Sequence, residues 1–303
     1  MSGLVGRGLG LSPARPNFKL KGKVFLITGG AGTLGTALAE ELFKHKPRAV
    51  RLFDNDENGL FWAEQRFRGE RALRILLGDV RDRWRLRFAF DGVDVVVHCS
   101  ALKHVHLSER NPFEALKTNA VGTQNCIETA IEKDVKVFIL VSSDKAVEAR
   151  GTYGVTKLLS EKLVLDARNF RGDHPTRFVI VRPANFWKSR GSVFEVWQKQ
   201  KEAGLPLTVT HPKMKRYFMK LEDAVEMILY AIKHGRDGEI IVPKKVEKKR
   251  IIDLARQISK NIEITGLRPG EVLDQELMTE KEREVARETK DFYIIPPPEE
   301  WHY

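Results

Sequence analysis

A tyrosine and a lysine four residues apart carry the most specific chemical signal in the chain. Tyr153 and Lys157 follow Thr152 in a segment that predicts a helix, so their side chains project from one face, one turn apart. An ammonium group beside a phenol favours the phenolate and lowers a pKa that otherwise lies near ~10. A phenolate is a usable general base for the hydroxyl of a sugar or an alcohol. The pair therefore predicts an enzyme that takes a proton from a hydroxyl group.

Three polar residues precede this pair along the chain. Ser143, Asp144 and Lys145 follow the apolar run Val137–Val141, which predicts a buried parallel strand. Open α/β sheets place their ligands at the carboxyl ends of strands, so we expect these three residues in the same site as the tyrosine and lysine. A tyrosine and a lysine at this spacing also occur on solvated helices. The strand that ends in Ser-Ser-Asp-Lys and a second motif upstream favour catalysis.

The second motif is rich in glycine. The strand Lys23–Thr28 runs straight into Gly30-x-Gly32-x-x-Gly35, and a helix follows through Lys46. Between a strand and a helix, this spacing is a dinucleotide fingerprint, because the glycines admit a pyrophosphate and the first N–H groups of the helix favour an anion. The predicted cofactor contacts in this segment are Thr28, Gly29, Gly30, Gly32, Thr33, Leu34 and Gly35.

An acidic residue ends the next predicted strand, Ala49–Phe53. Asp54 lies 19 residues past Gly35, where a carboxylate accepts from both hydroxyls of the adenosine ribose and repels a 2′-phosphate. Asn55 and Asp56 follow where an NADP enzyme would have arginine, so the sequence favours NAD over NADP. The other predicted cofactor contacts are Asn55, Asp79, Val80, Ser100, Ala101, Leu102, Asn119 in a long helix over 112–133, and Tyr153 and Lys157 themselves.

Polar residues in several loops are candidates for substrate contact. Lys103 and His104 follow a strand at the carboxyl edge of the sheet. His104 and His106 make a poor zinc site, since no Cys or acidic partner stands at ligand spacing and catalytic zinc takes three protein ligands, so we expect no metal. Arginines in later loops suit a diphosphate, which a guanidinium group binds in a bidentate fashion. The predicted substrate contacts are Lys103, His104, Asn185, Arg190, Ser192, Arg216, Arg268 and Glu271.

Short apolar strands alternate with helices from residue 23 to 182 and predict an α/β fold with a doubly wound parallel (Rossmann) sheet. Further strands are predicted at 73–77, 94–98 and 177–182. Beyond Pro183 the regularity is lost, which predicts a smaller C-terminal substrate-binding lobe of loops and a few helices. We expect a flexible tail over 1–19, an NAD-binding domain over 20–182, and mainly a substrate-binding lobe and tail over 183–303. The charges from Glu280 to Lys290 predict a solvated face.

The composition is that of a globular protein with a surplus of positive charge. Of the 303 residues 42% are hydrophobic, and the formal net charge is +11. The surplus is scattered and lacks interleaved aromatic residues, so we expect solvated surface and no nucleic-acid partner. No apolar run approaches the ~20 residues of a membrane span, and no signal peptide is apparent. Cys99 and Cys126 predict buried free thiols, and the whole suggests a cytoplasmic protein.

The glycine motif and the Tyr-x-x-x-Lys motif together resemble the extended short-chain dehydrogenase/reductase family. More narrowly, the chain resembles the UDP-N-acetylglucosamine 4,6-dehydratases of polysaccharide biosynthesis, over roughly residues 24–275. The segments that carry this resemblance are 101–105, 111–114, 117–119, 143–146, 189–193, 216–219 and 267–271. Two segments depart from the family: its Arg-x-Gly-Asn-Val-x-Gly is here Arg182 to Lys188, and its Asn-Pro after the Asp-Lys-Ala run is here Glu148-Ala149.

The resemblance implies an internal redox cycle on a UDP-sugar with bound NAD. Tyr153 would take the C4 hydroxyl proton, Lys145 would be the base at C5, Asp144 the acid at C6, and Ser143 a catalytic-site hydroxyl. Tyr153 stands where longer, membrane-anchored relatives commonly carry Met, which implies the short, soluble group that inverts C5. The resemblance also implies a homo-oligomer, since in related enzymes the helices equivalent to 111–134 and 152–170 form a four-helix bundle between subunits.

Two other functions stay open. A UDP-sugar 4-epimerase would share every cofactor residue but would not need the Asp144-Lys145 pair. A non-catalytic Rossmann protein could use its basic surface to bind RNA or a partner, although the presence of both Tyr153 and Lys157 speaks against this.

Overall fold

The computed structural model describes residues 15–297, and its strands follow the apolar runs of the sequence. Strands such as those at 24–28 and 137–141 are buried along their whole length, as expected for parallel strands covered on both faces. The strands are β1 Val24–Thr28, β2 Ala49–Asp54, β3 Leu73–Leu77, β4 Val95–His98, β5 Val137–Val141, β6 Arg177–Val181, β7 Asn185–Phe186, β8 Leu207–Val209, β9 Lys215–Met219, β10 Ile240–Pro243, β11 Glu247–Arg250, β12 Ile262–Ile264, β13 Arg287–Glu288 and β14 Phe292–Ile295.

The helices fill the connections between the strands. They are α1 Thr33–Lys44, α2 Glu57–Arg66, α3 Arg83–Ala89, α4 Val105–Arg110, α5 Pro112–Ala115, α6 Gly122–Glu132, α7 Thr152–Phe170, α8 Val193–Glu202, α9 Leu221–His234, α10 Ile251–Ile258 and α11 Glu280–Val285. A π-helical segment, Leu116–Val121, joins α5 to α6, and a 3₁₀ turn, Asp144–Ala146, follows β5. None of the helices within residues 15–297 is both long and apolar enough to cross a membrane.

One nine-stranded sheet organises the chain, in the order β13-β14-β10-β6-β5-β4-β1-β2-β3. Within this sheet, the seven neighbouring strands β10, β6, β5, β4, β1, β2 and β3 pair in parallel, and β14 is antiparallel to β10. The order β3-β2-β1-β4-β5-β6 confirms the predicted Rossmann sheet. Because the chain crosses from β3 to β4, the connections after β1 and β4 run in opposite directions and open a crevice at the carboxyl ends of these strands.

The chain beyond Pro183 is more regular than the sequence suggested. It supplies α9, β10, β13 and β14 to the layers of the large sheet, and a separate small core that contains Trp197, Leu207 and Phe218. A strand as short as β10 has no periodicity that distinguishes it from other buried segments, so its membership of the sheet could not be predicted locally. The sheet therefore draws strands from both sides of residue 182.

The predicted tail over 1–19 falls mainly outside the described residues. Where the structure begins, Arg15 donates to the fully buried carboxylate of Glu239 at 2.9 Å, and the amide of Phe18 donates to the carbonyl of Lys233. Both cysteines are free, as predicted, with Cys126 buried and Cys99 partly buried.

Candidate active site

Helix α7 carries the tyrosine and the lysine at the start of its buried face. Tyr153 and Lys157 are 7% and 3% exposed, and the ammonium of Lys157 donates to the carbonyl oxygen of Val141 at 2.7 Å. A Cβ at Gly154 would lie 2.4 Å from the carbonyl oxygen of Lys145, so this glycine lets α7 pack directly on the turn after β5. The local sequence thus brings both predicted catalytic segments together.

The protein alone does not hold Tyr153 as a phenolate. Burial raises the pKa of Tyr153 to about 12, a hydrogen bond with the Ser143 hydroxyl lowers it in part, and the Asp144 carboxylate raises it further. Burial also lowers the pKa of Lys157 to about 8. The prediction that Lys157 lowers the tyrosine pKa is therefore wrong for these side chains by themselves, because the ammonium is directed to Val141 and burial dominates.

Asp144 and Lys145 form an ion pair at the end of β5. The Lys145 Nζ atom lies 2.8 Å from Asp144 Oδ1 and 3.0 Å from the side-chain oxygen of Asn185. Asp144 is fully buried, and Ser143 Oγ donates to its Oδ1 at 2.9 Å. The Lys145 side chain is 22% exposed. Gln275 donates to the Asp144 carbonyl at 2.8 Å and fixes the turn.

Lys145 and Tyr153 line the same narrow cavity. Its wall includes Glu148. The backbone of this residue has a φ of 47°, in the left-handed region that residues other than glycine seldom adopt. The lining residues are Val105, Lys145, Val147, Glu148, Ala149, Arg150, Gly151, Tyr153, Gly154, Gly270, Val272 and Gln275. Tyr153 of α7 and Lys145 of the turn after β5 therefore face the same cavity.

The glycine segment has the shape and free donors that a diphosphate needs. A Cβ at Gly30 would lie 2.8 Å from the Leu52 Cα atom, and one at Gly35 would lie 2.5 Å from the Gly29 oxygen, so neither position admits a side chain. The amides of Thr33, Leu34 and Gly35 have no acceptor in the described part of the chain. First-turn amides of this kind bind anions.

Asp54 is fixed at the end of β2 by backbone donors. Its Oδ2 accepts from the amide of Ala31 at 3.0 Å and its Oδ1 from the amide of Asp56 at 3.1 Å. Beyond it, Asn55 donates to Asp79 at 3.2 Å, and Asp79 pairs with Arg81 at 2.6 Å. Their place at the carboxyl ends of β2 and β3 is compatible with the adenosine end of a dinucleotide, which stays a prediction for these residues.

A buried polar network lies beneath the crevice. His98 contacts Thr28 Oγ1 at 2.7 Å through Nδ1 and Thr123 Oγ1 at 3.0 Å through Nε2, and burial lowers its pKa to about 3. Thr28 is a predicted cofactor residue, but sequence reasoning gave no role to His98 or Thr123. A histidine that ends an apolar strand was the available signal, because its ring nitrogens need partners in the interior.

Asn119 shapes the crevice through its neighbours. Its side-chain oxygen accepts from the Leu102 amide at 2.8 Å, and its nitrogen donates to the Leu102 carbonyl and to Thr156 Oγ1. It lies in the π-helical segment that interrupts the single helix predicted over 112–133, and such segments often occur at functional sites. The asparagine thus holds the strand-end loop of Ser100, Ala101 and Leu102 in place.

The structure divides the predicted substrate residues into three groups. Lys103, His104 and Arg190 meet at the mouth of the crevice, with Lys103 Nζ 2.5 Å from the Arg190 carbonyl oxygen and Ser192 beginning α8 nearby. Asn185 joins the Asp144-Lys145 pair. The third group holds the loop over 268–273: Arg216 donates to Val272 O at 2.8 Å, and Glu271 accepts from the Arg268 amide at 3.0 Å. No group of three metal-ligating side chains occurs among residues 15–297.

Comparison with known proteins places the chain in a family. The polysaccharide biosynthesis protein family matches residues 25–297. The chain belongs to this family. It is 37% identical to the UDP-N-acetylglucosamine 4,6-dehydratase (inverting) of Campylobacter jejuni strain NCTC 11168, over 91% of this chain and 83% of that protein. It is 35% identical to the UDP-glucose 4-epimerase of Rickettsia massiliae, over 90% of this chain and 83% of that protein.

A solved relative has the same fold over almost the whole chain. The X-ray structure of Pen from Bacillus thuringiensis aligns with a TM-score of 0.89 and 37% identity, and covers 93% of this chain and 90% of its own. The family membership and the Rossmann sheet confirm the two resemblances drawn from the motifs.

Proposed function

We propose that this protein is an NAD-dependent nucleotide-sugar 4,6-dehydratase that acts on UDP-N-acetylglucosamine. The observation that carries the proposal is the ion pair of the buried Asp144 with Lys145, whose side chain lines the same cavity as Tyr153. Oxidation at C4 needs one base, the tyrosine, and a hydride acceptor, whereas removal of water across C5 and C6 needs an acid and a further base. The relatives named as dehydratases support the same reading.

The residues of the crevice fit a dinucleotide. Bound NAD would supply the hydride acceptor for C4, the hydride donor for C6 and a positive charge that favours the Tyr153 phenolate. The free amides of Thr33, Leu34 and Gly35 would hold its pyrophosphate, and Asp54 its adenosine ribose. A carboxylate at this position supports NAD rather than NADP.

Tyr153 acts first in the proposed cycle. Its phenolate oxygen takes the proton of the C4 hydroxyl while the hydrogen on C4 leaves as hydride. Ser143, which lowers the pKa of Tyr153, would turn its O–H from Asp144 to the phenolate oxygen. The buried Lys157 adds positive charge one turn along the helix, with its ammonium on Val141. The product of this step is a 4-ketone, which acidifies the hydrogen on C5.

The ion pair supplies both groups for the elimination. Transfer of one proton across the 2.8 Å hydrogen bond from Lys145 to Asp144 converts the pair into a neutral amine and a carboxylic acid. The amine takes the C5 proton, the acid protonates the C6 hydroxyl, and water leaves. The pair returns to ammonium and carboxylate, so the elimination consumes no proton. Return of the hydride to C6 would complete the methyl group, and C5 would take up one solvent-derived proton as the 4-ketone re-forms. Asn185, which contacts both side chains, holds them in register for this exchange.

The substrate assignment rests on the mouth of the cleft. Lys103, His104, Arg190 and Ser192 cluster there, and we propose that with Arg216, Arg268 and Glu271 they bind the UDP portion. Cations suit a diphosphate, and we propose no nucleic-acid partner for the remaining surface charge. We further propose inversion at C5, as in the named dehydratase relatives.

We propose a homodimer built on the helices around the site. Helices α4 to α7 leave several apolar side chains exposed: Leu107 at 48%, Phe113 at 75%, Leu116 at 41%, Val155 at 49% and Leu159 at 40%. A second copy would cover such a surface, and a permanent interface buries on the order of 1,500 Å² or more. A strictly monomeric mass in light scattering at micromolar concentration would contradict this assembly.

Proton NMR of the protein with UDP-N-acetylglucosamine in deuterated water tests the reaction. The dehydratase should produce a new C6 methyl signal and incorporate solvent deuterium at C5. A 4-epimerase, the function named for some relatives, would interconvert sugars at C4 and form no methyl group. Product without deuterium at C5 would remove Lys145 from its role and overturn the proposal.

A further inference from the structure

A segment of the smaller lobe crosses the crevice mouth and contacts the cofactor-binding half. Arg190 Nη1 lies 2.8 Å from Asp56 Oδ2, and the Arg190 amide donates to Thr33 Oγ1 at 3.2 Å. On the same side, Lys103 holds the Arg190 carbonyl, and a Cβ at Gly191 would lie 2.7 Å from the His104 ring. Four contacts therefore attach residues 190 and 191 to three separate loops of the Rossmann sheet.

The position of these contacts relates the segment to the cofactor. Thr33 begins α1, whose free amides are the proposed pyrophosphate site, and Asp56 lies two residues past Asp54, the proposed ribose site. A segment anchored at both points spans the mouth of the dinucleotide crevice. Gly191 has φ of 71°, a conformation that glycine adopts without strain, so the sequence permits the tight approach to His104.

We propose that Arg190 and Asp56 form a clasp that retains the dinucleotide between the two hydride transfers. This rests on the proposed function, in which one NAD molecule is reduced and reoxidised on the enzyme. Asp56 suits this task because its second oxygen caps α2: Asp56 Oδ1 accepts from the Gly59 amide at 2.9 Å. The carboxylate is thus fixed before the arginine reaches it, and the smaller lobe closes over the cofactor-binding half through one ion pair.

Release of NADH from the loaded protein tests the clasp without turnover. Fluorescence would follow the loss of bound NADH into an excess of NAD, for the wild type, Arg190→Ala, Asp56→Asn and the double variant. Asparagine is a good N-cap, so Asp56→Asn removes the charge and keeps the helix start. The ion pair is exposed, so we expect release about two- to fivefold faster in each single variant. The double variant should release no faster than either, because both substitutions break one interaction.

Arg250→Ala is the matched control. Arg250 is a similarly exposed arginine, paired with Asp253 inside the smaller lobe, and its removal should leave the release rate unchanged. Raising the salt concentration should speed release from the wild type and have less effect on Arg190→Ala.

Two outcomes would overturn the clasp: wild-type release rates in both single variants, or effects that add in full in the double variant. If Arg190→Ala weakened the binding of UDP but left the release of NADH unchanged, only the proposed substrate role of Arg190 would stand and the clasp would fail. Failure of the proposed function looks different, since a wild type that forms no C6 methyl product still yields interpretable release rates.

Discussion

Two ionic clusters border helix α7, and they differ in what they leave unsatisfied. In the first, Arg182 donates to Glu161 at 2.8 and 3.1 Å, to Glu282 at 2.9 and 3.0 Å, and to the Leu277 carbonyl. In the second, Lys145 donates to Asp144 and Asn185 and keeps part of its surface open to the cavity. In the first cluster Arg182 and Glu161 are enclosed, and the partly exposed Glu282 does not line the cavity, whereas in the second Lys145 faces the space where a substrate would lie.

The difference shows that a buried charge is by itself no mark of catalysis. Arg182 and Glu161 are each 2% exposed, more deeply buried than Lys145, yet every donor and acceptor between them is engaged within the protein. Ser142 adds a donor to Glu161 at 2.5 Å. A satisfied cluster of this kind fixes β6, α7 and α11 relative to one another. We therefore assign a stabilising role to the first cluster and a catalytic role to the second.

The largest expected effect comes from the open cluster. Lys145→Ala and Asp144→Asn should each lower dehydration by ~10² to 10⁴-fold, the usual cost of lost acid–base catalysis. Tyr153 and Lys157 remain, so C4 oxidation should continue and NADH absorbance should appear when substrate is added. Lys145→Ala should also slow deuterium exchange at C5. In Asp144→Asn the Lys145 ammonium loses the carboxylate that stabilises its charge and can give its proton to solvent instead, so that exchange should persist.

Stability measurements complete this test. In Lys145→Ala the buried Asp144 carboxylate keeps the donors of Ser143 and Asn185 but loses its cation, so the free energy of unfolding should fall and activity is compared on the folded fraction. A folded variant that dehydrated substrate at the wild-type rate would contradict the assignment of chemistry to this pair.

Arg182→Met should show the opposite pattern. Removing the arginine leaves Glu161 and Glu282 without their common cation, and breaking a buried ion pair in this way typically costs ~3–5 kcal/mol in unfolding free energy. Urea denaturation measures the loss. The kcat of the folded fraction should remain near that of the wild type, because no member of this cluster faces the cavity.

The sequence predicted the open cluster but not the closed one, for a physical reason. Ser143, Asp144 and Lys145 are adjacent to one another, and the strand before them and the helix after them place Tyr153 beside them by local geometry. Glu282 lies 100 residues from Arg182 along the chain. A charged stretch from Glu280 to Lys290 predicts a solvated face, which is correct for its neighbours but wrong for Glu282, whose side chain is only 23% exposed.

The same distinction applies to the sheet and to the crevice. The strands from β1 to β6 could be predicted because each is an apolar run followed by a turn and a helix. Strand β10 joins β6, and β14 joins β10, through contacts distant in sequence, and β13 then pairs with its neighbour β14. Asn119 was found by resemblance, but its contacts with Leu102 and Thr156 depend on the turn of a π-helical segment, which no local pattern specified.

Glu282→Gln tests the closed cluster more gently. The change keeps the capping box, in which Thr279 and residue 282 satisfy each other's backbone amides, and removes the negative charge that faces Arg182. Hydrogen bonds to charged groups contribute about 1.5–3 kcal/mol, so a loss within this range is expected. Glu284→Gln, an exposed change on the same helix, is the control and should have no measurable effect on stability.

The pH dependence of this variant has a definite sign. Burial raises the pKa of Glu282, but hydrogen bonds from Arg182 outweigh it and hold the pKa below the usual 4.5. The carboxylate therefore stabilises the fold above pH 4.5, and that contribution is lost as pH falls through the folded-state pKa. Glu282→Gln should flatten the acid limb of stability. An unchanged limb would mean that this carboxylate does not titrate with folding.

The smallest expected effect concerns cofactor affinity, and it distinguishes Asp54, a fixed carboxylate proposed to face a ligand, from Glu161, which faces only protein. Asp54, like Glu161, is fixed by neighbours, but its donors are the Ala31 and Asp56 amides and its remaining lone pairs lie at the carboxyl end of β2. We expect NAD to bind more tightly than NADP by at least ~1.4 kcal/mol, about tenfold, because the carboxylate accepts from the ribose hydroxyls and repels a 2′-phosphate. Titration of the cofactor-free protein with each nucleotide measures the ratio, and Asp54→Asn should reduce it. Equal affinities in the wild type would show that Asp54, like Glu161, serves only the fold.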